Sequence, residues 1–342
     1  MGRHFLQDFK LLEIIGEGSF GTVYKAQNRQ SGKEVAVKIM QSCNGGGLQE
    51  IELLNECDHK NIIKFHGAYL QNRETLFAAT ELCAGGSLIE LYQDFGGAFN
   101  EEETAYACRE VLQGLKYLHA NNILHRDIKG DNILLNDVGD VKICDLGLAA
   151  RLTDPSSRAQ CVGTLQWIAP EVLCATRDGN YNERCDIWSL GMMAIEVAEG
   201  YIPHSSMSND CIQTYLKSEF MVPPKLREDG NWSPEFKDFI NQALIRDPCS
   251  RPSAEELLLH PFVNRPELTR SVFQLRLQRK KPGSQEEQEH SPQKKHDPDL
   301  RTEKKNKTAP CRRLKTLKRI QAFFRRIGRR FCCCIRPRED QE

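Results

Sequence analysis

The first third of the chain reads as strands. Residues 9–15, rich in Leu, Ile and Phe with two polar breaks, form a short strand pattern that runs into a glycine-rich turn. Residues 22–27 and 34–40 give two more strands, separated by a polar turn at 28–33. Residues 48–56 change period: Ile51 and Leu54 fall on one helical face. Residues 62–69 and 75–82 return to a strand pair. After Gly85-Gly86 the helical period dominates. Residues 101–120 place Ala105, Cys108, Val111, Leu112, Leu115 and Leu118 on one stripe. Residues 181–262 read as mostly helical, broken at Pro203, Pro223-Pro224, Pro234, Pro248 and Pro252. A strand-rich start followed by a helical remainder implies two lobes. There is no internal repeat.

The 342 residues are 39% apolar, enough for a real core and too apolar for a wholly disordered chain. No apolar run approaches the roughly 18 residues of a membrane-spanning helix. The first eight residues hold no apolar signal-peptide core. The expected setting is therefore cytoplasmic, with the 14 cysteines reduced. No Cys-x-x-Cys pair with a matching His or Cys pair suggests zinc.

The charges balance overall, 47 against 47, but not locally. From Cys311 to Glu342 eleven Lys and Arg face three acids, a balance of +8, so the rest of the chain carries −8. From about Arg265 apolar density falls. Residues 264–310 are expected to be a polar, disordered linker, and order is expected again at 311–335.

Five segments carry candidate chemistry. In Gly16-Glu17-Gly18-Ser19-Phe20-Gly21 the glycines would let backbone N–H groups approach a polyphosphate. A dinucleotide site needs a helix next, whereas residues 22–26 read as a strand, which favours a strand–loop–strand lid. In Val35-Ala36-Val37-Lys38 a lysine sits in an apolar strand, where burial demands a partner. Glu50 is the expected partner, with Leu54 in the core beneath it and Glu52 the alternative. The run His125 to Asn132 is polar between apolar flanks, which calls for a cleft that satisfies it. Asp145-Leu146-Gly147 follows a short strand, and Ala169-Pro170-Glu171 comes last.

With all five in order, residues 9–263 resemble the eukaryotic protein-kinase family. The resemblance implies an α+β, two-lobed fold: a five-stranded antiparallel N-lobe with one helix over 9–82, a mainly helical C-lobe over 83–263, and ATP between them. It implies that Ile15, Gly16, Glu17, Gly18, Ser19, Phe20, Gly21, Thr22 and Val23 cover the nucleotide. Lys38 would hold the α- and β-phosphates and pair with Glu50. Asp127 would orient the acceptor hydroxyl and take its proton, Lys129 would neutralise the transferring group, and Asn132 and Asp145 would hold Mg²⁺. Thr80 would be the gatekeeper, Glu81 to Cys83 the hinge that pairs with adenine, and Val23, Ala36 and Leu134 the walls around the base. Asp186 would brace the catalytic loop, and Glu171 would pair with Arg251. Lys129 with Thr164 resembles serine/threonine kinases rather than tyrosine kinases. The longer motif runs look most like the STE group, which includes the sterile-20-like kinases and the MAP kinase kinase kinases.

Three departures bear on activity. Leu146 replaces the usual Phe of its motif, and as an apolar residue should fill the same internal space. Gly45-Gly46-Gly47 precedes Glu50, so its helix is expected to be mobile and to need help docking. Gln160 stands four residues before Thr164, where many related kinases carry a phosphorylatable Thr. Arg126 before Asp127 resembles kinases switched on by an upstream kinase through the activation segment, with Ser156, Ser157 and Thr153 as candidates here.

In the C-terminal stretch Leu314, Leu317, Ile320, Phe324, Ile327 and Phe331 recur every three or four residues among Arg and Lys. This is the pattern of a cationic amphipathic helix. Cys332, Cys333 and Cys334 follow, which suggests S-palmitoylation and an anionic membrane surface as partner. A nuclear-localisation or RNA-binding patch, a calmodulin target and an autoinhibitory helix are the rivals, and they need no cysteine triplet. No nucleic-acid partner is expected. The expected activity is ATP- and Mg²⁺-dependent phosphate transfer to Ser/Thr of protein substrates. A pseudokinase scaffold is the alternative.

Overall fold

The computed structural model describes residues 5–18, 21–41, 46–71, 74–154, 160–178 and 181–280. A single helical turn, α1 (Phe5–Asp8), leads into β1 (Phe9–Gly18). Then come β2 (Gly21–Asn28), β3 (Glu34–Gln41), α2 (Gly46–Glu56), β4 (Phe65–Gln71) and β5 (Thr75–Glu81). The five strands form one antiparallel sheet in the order β1-β2-β3-β5-β4.

The two-residue period of β3 sorts its side chains. Val35 and Val37 face outward onto a cluster with Phe9, Ala26, Phe77 and Ala79. Ala36, Lys38 and Met40 take the other face. There Met40 meets Leu48 and Ile51 of α2 and Leu76 and Ala78 of β5. The outer cluster is closed by Phe5, whose ring stacks on Phe9 at 5.0 Å and on Phe77 at 4.5 Å. The expected single N-lobe helix is thus two helical elements. Four residues are too few for a period to show, yet one aromatic side chain fixes them.

The expected strand at 62–69 begins three residues later. Ile62 makes an isolated parallel bridge to Ile143, and Ile63 N–H donates to the Ile143 carbonyl at 2.9 Å, so this stretch ties the two lobes together. Its apolar residues are buried, and periodicity alone does not tell a strand from a tether.

The C-lobe opens with β6 (Gly86–Ser87), α3 (Leu88–Asp94) and α4 (Glu101–Ala120). A reciprocal Asn100–Glu103 capping box starts α4, and three glutamates fill its first turn. Short strands β7 (Ile123–Leu124), β8 (Ile133–Leu135), β9 (Val141–Ile143) and β10 (Ala150–Arg151) frame the loops between them. After α5 (Pro170–Asp178), α6 (Arg184–Glu199) is buried at every position from Cys185 to Ala198 and ends on Gly200 at φ 67°. A helix buried all round belongs in the middle of a domain. It carries both Asp186 and Glu196 beneath the cleft.

Next are α7 (Asn209–Lys217), α8 (Pro234–Ala243) and α9 (Ala254–Leu257). Pro234 starts α8 rather than breaking a helix, because the first helical turn needs no N–H there. The polar stretch after 263 differs from the expected linker as far as residue 280. A 3-10 turn at Arg270–Phe273 and α10 (Gln274–Lys280) pack on the C-lobe. Phe273 is fully buried, edge-on to Phe99 at 5.2 Å. Residues 281–310 and 311–335, read as linker and amphipathic helix, lie outside the described residues. No described helix is long and apolar enough to cross a membrane.

Candidate active site

The cleft between the lobes gathers most of the residues singled out by sequence. Lys38 is placed opposite Val23 of β2 and Ala78 of β5, on the face toward α2. Its ammonium reaches Glu50 Oε1 at 2.8 Å, Glu50 Oε2 at 3.0 Å and Asp145 Oδ1 at 2.8 Å. Glu50 rather than Glu52 is the partner. Burial works against the charge on Lys38, but the Glu50 and Asp145 carboxylates outweigh it and its pKa is raised. Burial also acts to raise Asp145, yet the Lys38 ammonium and the Gly147 N–H hold it below the usual carboxylate range. Burial pushes Glu50 upward. With one ammonium shared by both carboxylates, the geometry favours the ionised triad.

Asp127 is the centre of a second network. Its Oδ1 accepts from the Thr164 hydroxyl at 2.6 Å and from the Thr164 N–H at 3.1 Å. Its Oδ2 accepts from Asn132 Nδ2 at 2.8 Å and lies 3.1 Å from Lys129 Nζ. Lys129 also donates to Thr164 Oγ1 at 2.8 Å. A carboxylate, an ammonium and a hydroxyl are thus held within hydrogen-bond reach of one another at the mouth of the cleft.

The loop that carries Asp127 is held from below. Asp186, fully buried, accepts the backbone N–H of His125 at 3.0 Å and of Arg126 at 2.8 Å, and bonds His119 Nε2 at 2.9 Å. These bonds overcome the effect of burial and keep its pKa low. They also hold Arg126 at φ 67°, a conformation that costs about 1 kcal/mol or more in a non-glycine residue. Leu146 is fully buried in the same apolar cluster as Leu54, filling the space expected of it. Glu171 and Arg251 form a bidentate pair at 2.6 and 3.1 Å.

The glycines separate by what surrounds them. Gly21 lies at φ 142°, and a Cβ there would come within 2.2 Å of the Ile39 carbonyl, so the sheet itself requires it. A Cβ on Gly18 would meet nothing within 4 Å, and one on Gly16 only ordinary contacts with Val23. A side chain would therefore fit at either position without a clash. Ile15 and Glu17 are on β1, and Thr22 and Val23 follow on β2. Ser19 and Phe20 lie outside the described residues.

At the hinge, Thr80 sits opposite Ala36 across β3 and β5. The Glu81 carboxylate is already engaged by the Lys64 N–H at 2.7 Å and the Lys142 ammonium at 3.0 Å. Its side chain therefore braces the hinge. Cys83 is buried, and its carbonyl accepts from Gly86 N–H at 3.0 Å. Leu134 is half-buried on β8. Burial pushes the Cys83 thiol up to about 12 and Cys144 well above its usual value, so neither is a thiolate near neutral pH.

The oxygen set fits a magnesium ion. Asn132 spends its amide N–H on Asp127, and Asp145 spends Oδ1 on Lys38 and Gly147. Among the described residues, Asn132 Oδ1 and Asp145 Oδ2 make no hydrogen bond. Two hard oxygens beside a phosphate site are what Mg²⁺ takes, the rest of its shell coming from phosphates and water. No group of three or more His, Cys, Asp or Glu suited to a metal is found among the described residues.

Of the activation-segment candidates, Thr153 is exposed in a turn after β10, while Ser156 and Ser157 lie outside the described residues, as do Cys332, Cys333 and Cys334. Sequence reasoning missed Glu196. It is 1% exposed and accepts from both Gly130 N–H at 3.1 Å and Trp167 Nε1 at 3.0 Å. An acid among the apolar residues Met192 to Val197 was the available signal. It also missed the Lys142–Glu81 pair, for which no sequence spacing gives a sign.

A two-lobed fold with this cleft defines a protein kinase catalytic domain, and the family model for the protein kinase domain matches residues 9–263. The chain belongs to that family. It is 44% identical over 260 residues to serine/threonine-protein kinase dst2 of Dictyostelium discoideum, covering 75% of this chain and 22% of that protein. It is 43% identical over 272 residues to mitogen-activated protein kinase kinase kinase kinase 3 of Homo sapiens, covering 78% and 30%. Serine/threonine-protein kinase 1 of Arabidopsis thaliana is 40% identical over 263 residues, covering 75% and 31%. These similarities agree with the STE group expected from the motifs. The chain spans less than a third of the length of each of these three relatives.

Proposed function

We propose that this chain is an active serine/threonine kinase that transfers the γ-phosphate of ATP to hydroxyls of protein substrates. The observation that carries the reading is the Asp127–Lys129–Thr164–Asn132 network. Asp127 holds a hydroxyl at 2.6 Å, as it would hold an acceptor serine or threonine, and is positioned to take its proton. Lys129 brings positive charge to the same point, where charge spreads over the transferring group. Lys38, fixed by Glu50, offers its ammonium to the α- and β-phosphates, and the loop of Gly16 and Gly18 would cover them. Asn132 and Asp145 would hold Mg²⁺, which would neutralise the β- and γ-phosphate oxygens. The remainder of the task is positioning, which the Asp186 brace supplies.

The test is phosphate transfer from labelled ATP with Mg²⁺ to a generic basic protein, wild type beside Asp127→Asn. Transfer to Ser or Thr that the substitution abolishes is the expected result. A well-folded wild type that transfers nothing, even after treatment with an upstream kinase, would favour a scaffold.

Two regulatory features belong to this proposal. The activation segment would be phosphorylated by an upstream kinase at Ser156, Ser157 or Thr153. The basic stretch 311–335, with acyl chains on Cys332, Cys333 and Cys334, would hold the kinase on an anionic cytoplasmic membrane surface. Each basic residue there contributes about 1 kcal/mol, and an acyl chain adds the second signal that stable anchoring needs. The cysteine triplet supports this reading over its rivals. Replacing the three cysteines by serine should release the protein from membranes, and unchanged membrane association would refute the lipid anchor.

A further inference from the structure

Between the turn after β10 and Thr164, the activation segment must be held so that Thr164 stays on Asp127. Among the described residues, no backbone–backbone hydrogen bond is made by Cys161, Val162 or Gly163. Gly163 instead fits by shape: at φ 128° its backbone lies so close to the Arg126 carbonyl that a Cβ would be 2.8 Å from that oxygen. The first tether upstream of Thr164 comes from elsewhere. The Tyr181 hydroxyl donates to the Gln160 carbonyl at 3.1 Å and accepts from Arg126 Nη1 at 3.0 Å. Arg126 Nε donates to the Leu148 carbonyl at 2.7 Å. One guanidinium therefore touches the start of the segment directly and its far side through a phenol. Tyr181 is 2% exposed and stands just before α6, the helix that carries Asp186.

We infer that Tyr181 is a positioning residue whose hydroxyl relays the Arg126 guanidinium to the Gln160 carbonyl, holding residues 160–164 in the acceptor-binding arrangement through a contact that contains no phosphate. The inference deepens the kinase reading and rests on it for its kinetic arm. Electrostatics favours such a relay. A buried guanidinium polarises the phenol oxygen that accepts from it, which strengthens the bond the same hydroxyl donates. The relay bonds the backbone at Gln160, so the side chain there is free to vary. A phosphate added elsewhere in the segment would then reinforce an arrangement already formed, rather than create it.

The location sets the readout. Gln160 and Tyr181 touch none of Lys38, Asn132 or Asp145, so loss of the relay should affect the protein acceptor and spare ATP. Removing the hydroxyl takes one hydrogen bond from the buried guanidinium and one from the Gln160 carbonyl. The experiment is Tyr181→Phe in the full chain, with two measurements. Amide hydrogen exchange on the nucleotide-free protein reads the Thr164 N–H, which is bonded to Asp127. Steady-state kinetics read acceptor and ATP separately. The expected result is at least tenfold faster exchange at the Thr164 N–H, kcat/KM for the acceptor lower by about ten- to hundredfold, and KM for ATP within twofold. Unchanged exchange in a folded variant would overturn the inference. So would a fall in ATP and acceptor parameters together with a lowered melting temperature, the mark of a packing defect. If the wild type transfers no phosphate, the kinase reading fails by itself, and the exchange comparison still decides this one.

Discussion

Lys38 of β3 and Glu50 of α2 meet within the N-lobe, the ammonium 2.8 and 3.0 Å from the two carboxylate oxygens, so the helix carrying Glu50 is docked on the sheet. The glycine run before it led to the expectation of a mobile helix that needs help docking, and the contacts that dock it are plain in the structure. Leu48 and Ile51 sit in the N-lobe cluster, and Leu53 and Leu54 join the C-lobe core. Gln49 Nε2 donates to the Ala149 carbonyl at 3.0 Å, and Arg151 pairs with Glu56. Four anchors along three turns outweigh the entropy of a few glycines, which costs about 1 kcal/mol per residue.

Glu50→Gln removes the carboxylate charge that faces Lys38, so the Asp145 carboxylate should draw the ammonium away from the phosphates. We expect kcat/KM for ATP to fall about ten- to hundredfold, with little change in KM for the protein acceptor. Glu52→Gln, on the same helix and without an ion-pair partner among the described residues, should behave as wild type. Steady-state kinetics with ATP varied would check both. Equal losses in the two variants would mean that the helix, rather than the Lys38–Glu50 contact, matters.

Arg276 is the strongest fastening of the segment beyond residue 263. Its guanidinium pairs with Glu103 at 2.7 and 2.8 Å, donates to the Gly97 and Ala98 carbonyls at 2.7 and 2.9 Å, and stacks 4.6 Å from the centre of Phe99. Both partners are buried. Arg276→Ala would leave Glu103 as an uncompensated buried charge, at a cost of about 3–5 kcal/mol. The urea midpoint should fall accordingly. A shift below about 1 kcal/mol would show that the segment is dispensable to the domain.

Legibility from sequence followed the length of the signal. Apolar strand patterns bounded by turns gave four of the five N-lobe strands nearly in place, and the stripe from Ala105 to Leu118 gave α4. The site was readable because its residues cluster: Asp127, Lys129 and Asn132 lie within six positions, and only a cleft satisfies so many polar groups. Glu50 was found because a lysine in an apolar strand demands an acid on the next helix. Contacts between distant positions were not readable. Arg276 with Glu103 and Tyr181 with Gln160 depend on the finished fold, and neither residue type nor spacing announces them. Phe273 and Leu277 at helical spacing were a weak sign that the chain after 263 packs, masked by the charges around them.

Glu196 gives the sharpest pH dependence. Burial in α6 pushes its pKa to about 8, although the Gly130 and Trp167 N–H groups pull it down, Asp131 adds a push upward and Lys129 a pull downward. The sign follows from proton counting. Below the ordinary value of 4.5 the acid is protonated folded and unfolded alike. Between there and about 8 the folded state keeps the proton that the unfolded state gives up, so stability falls as pH rises, and above about 8 it levels off. The loss is on the order of a few kcal/mol. Glu196→Gln keeps an oxygen to accept both N–H groups and carries no charge at any pH. The variant should match wild type near pH 5, and exceed it in urea midpoint near pH 8.5 because it has lost this slope. The same decline in both proteins would place the pH dependence elsewhere and show that Glu196 is ionised in the fold.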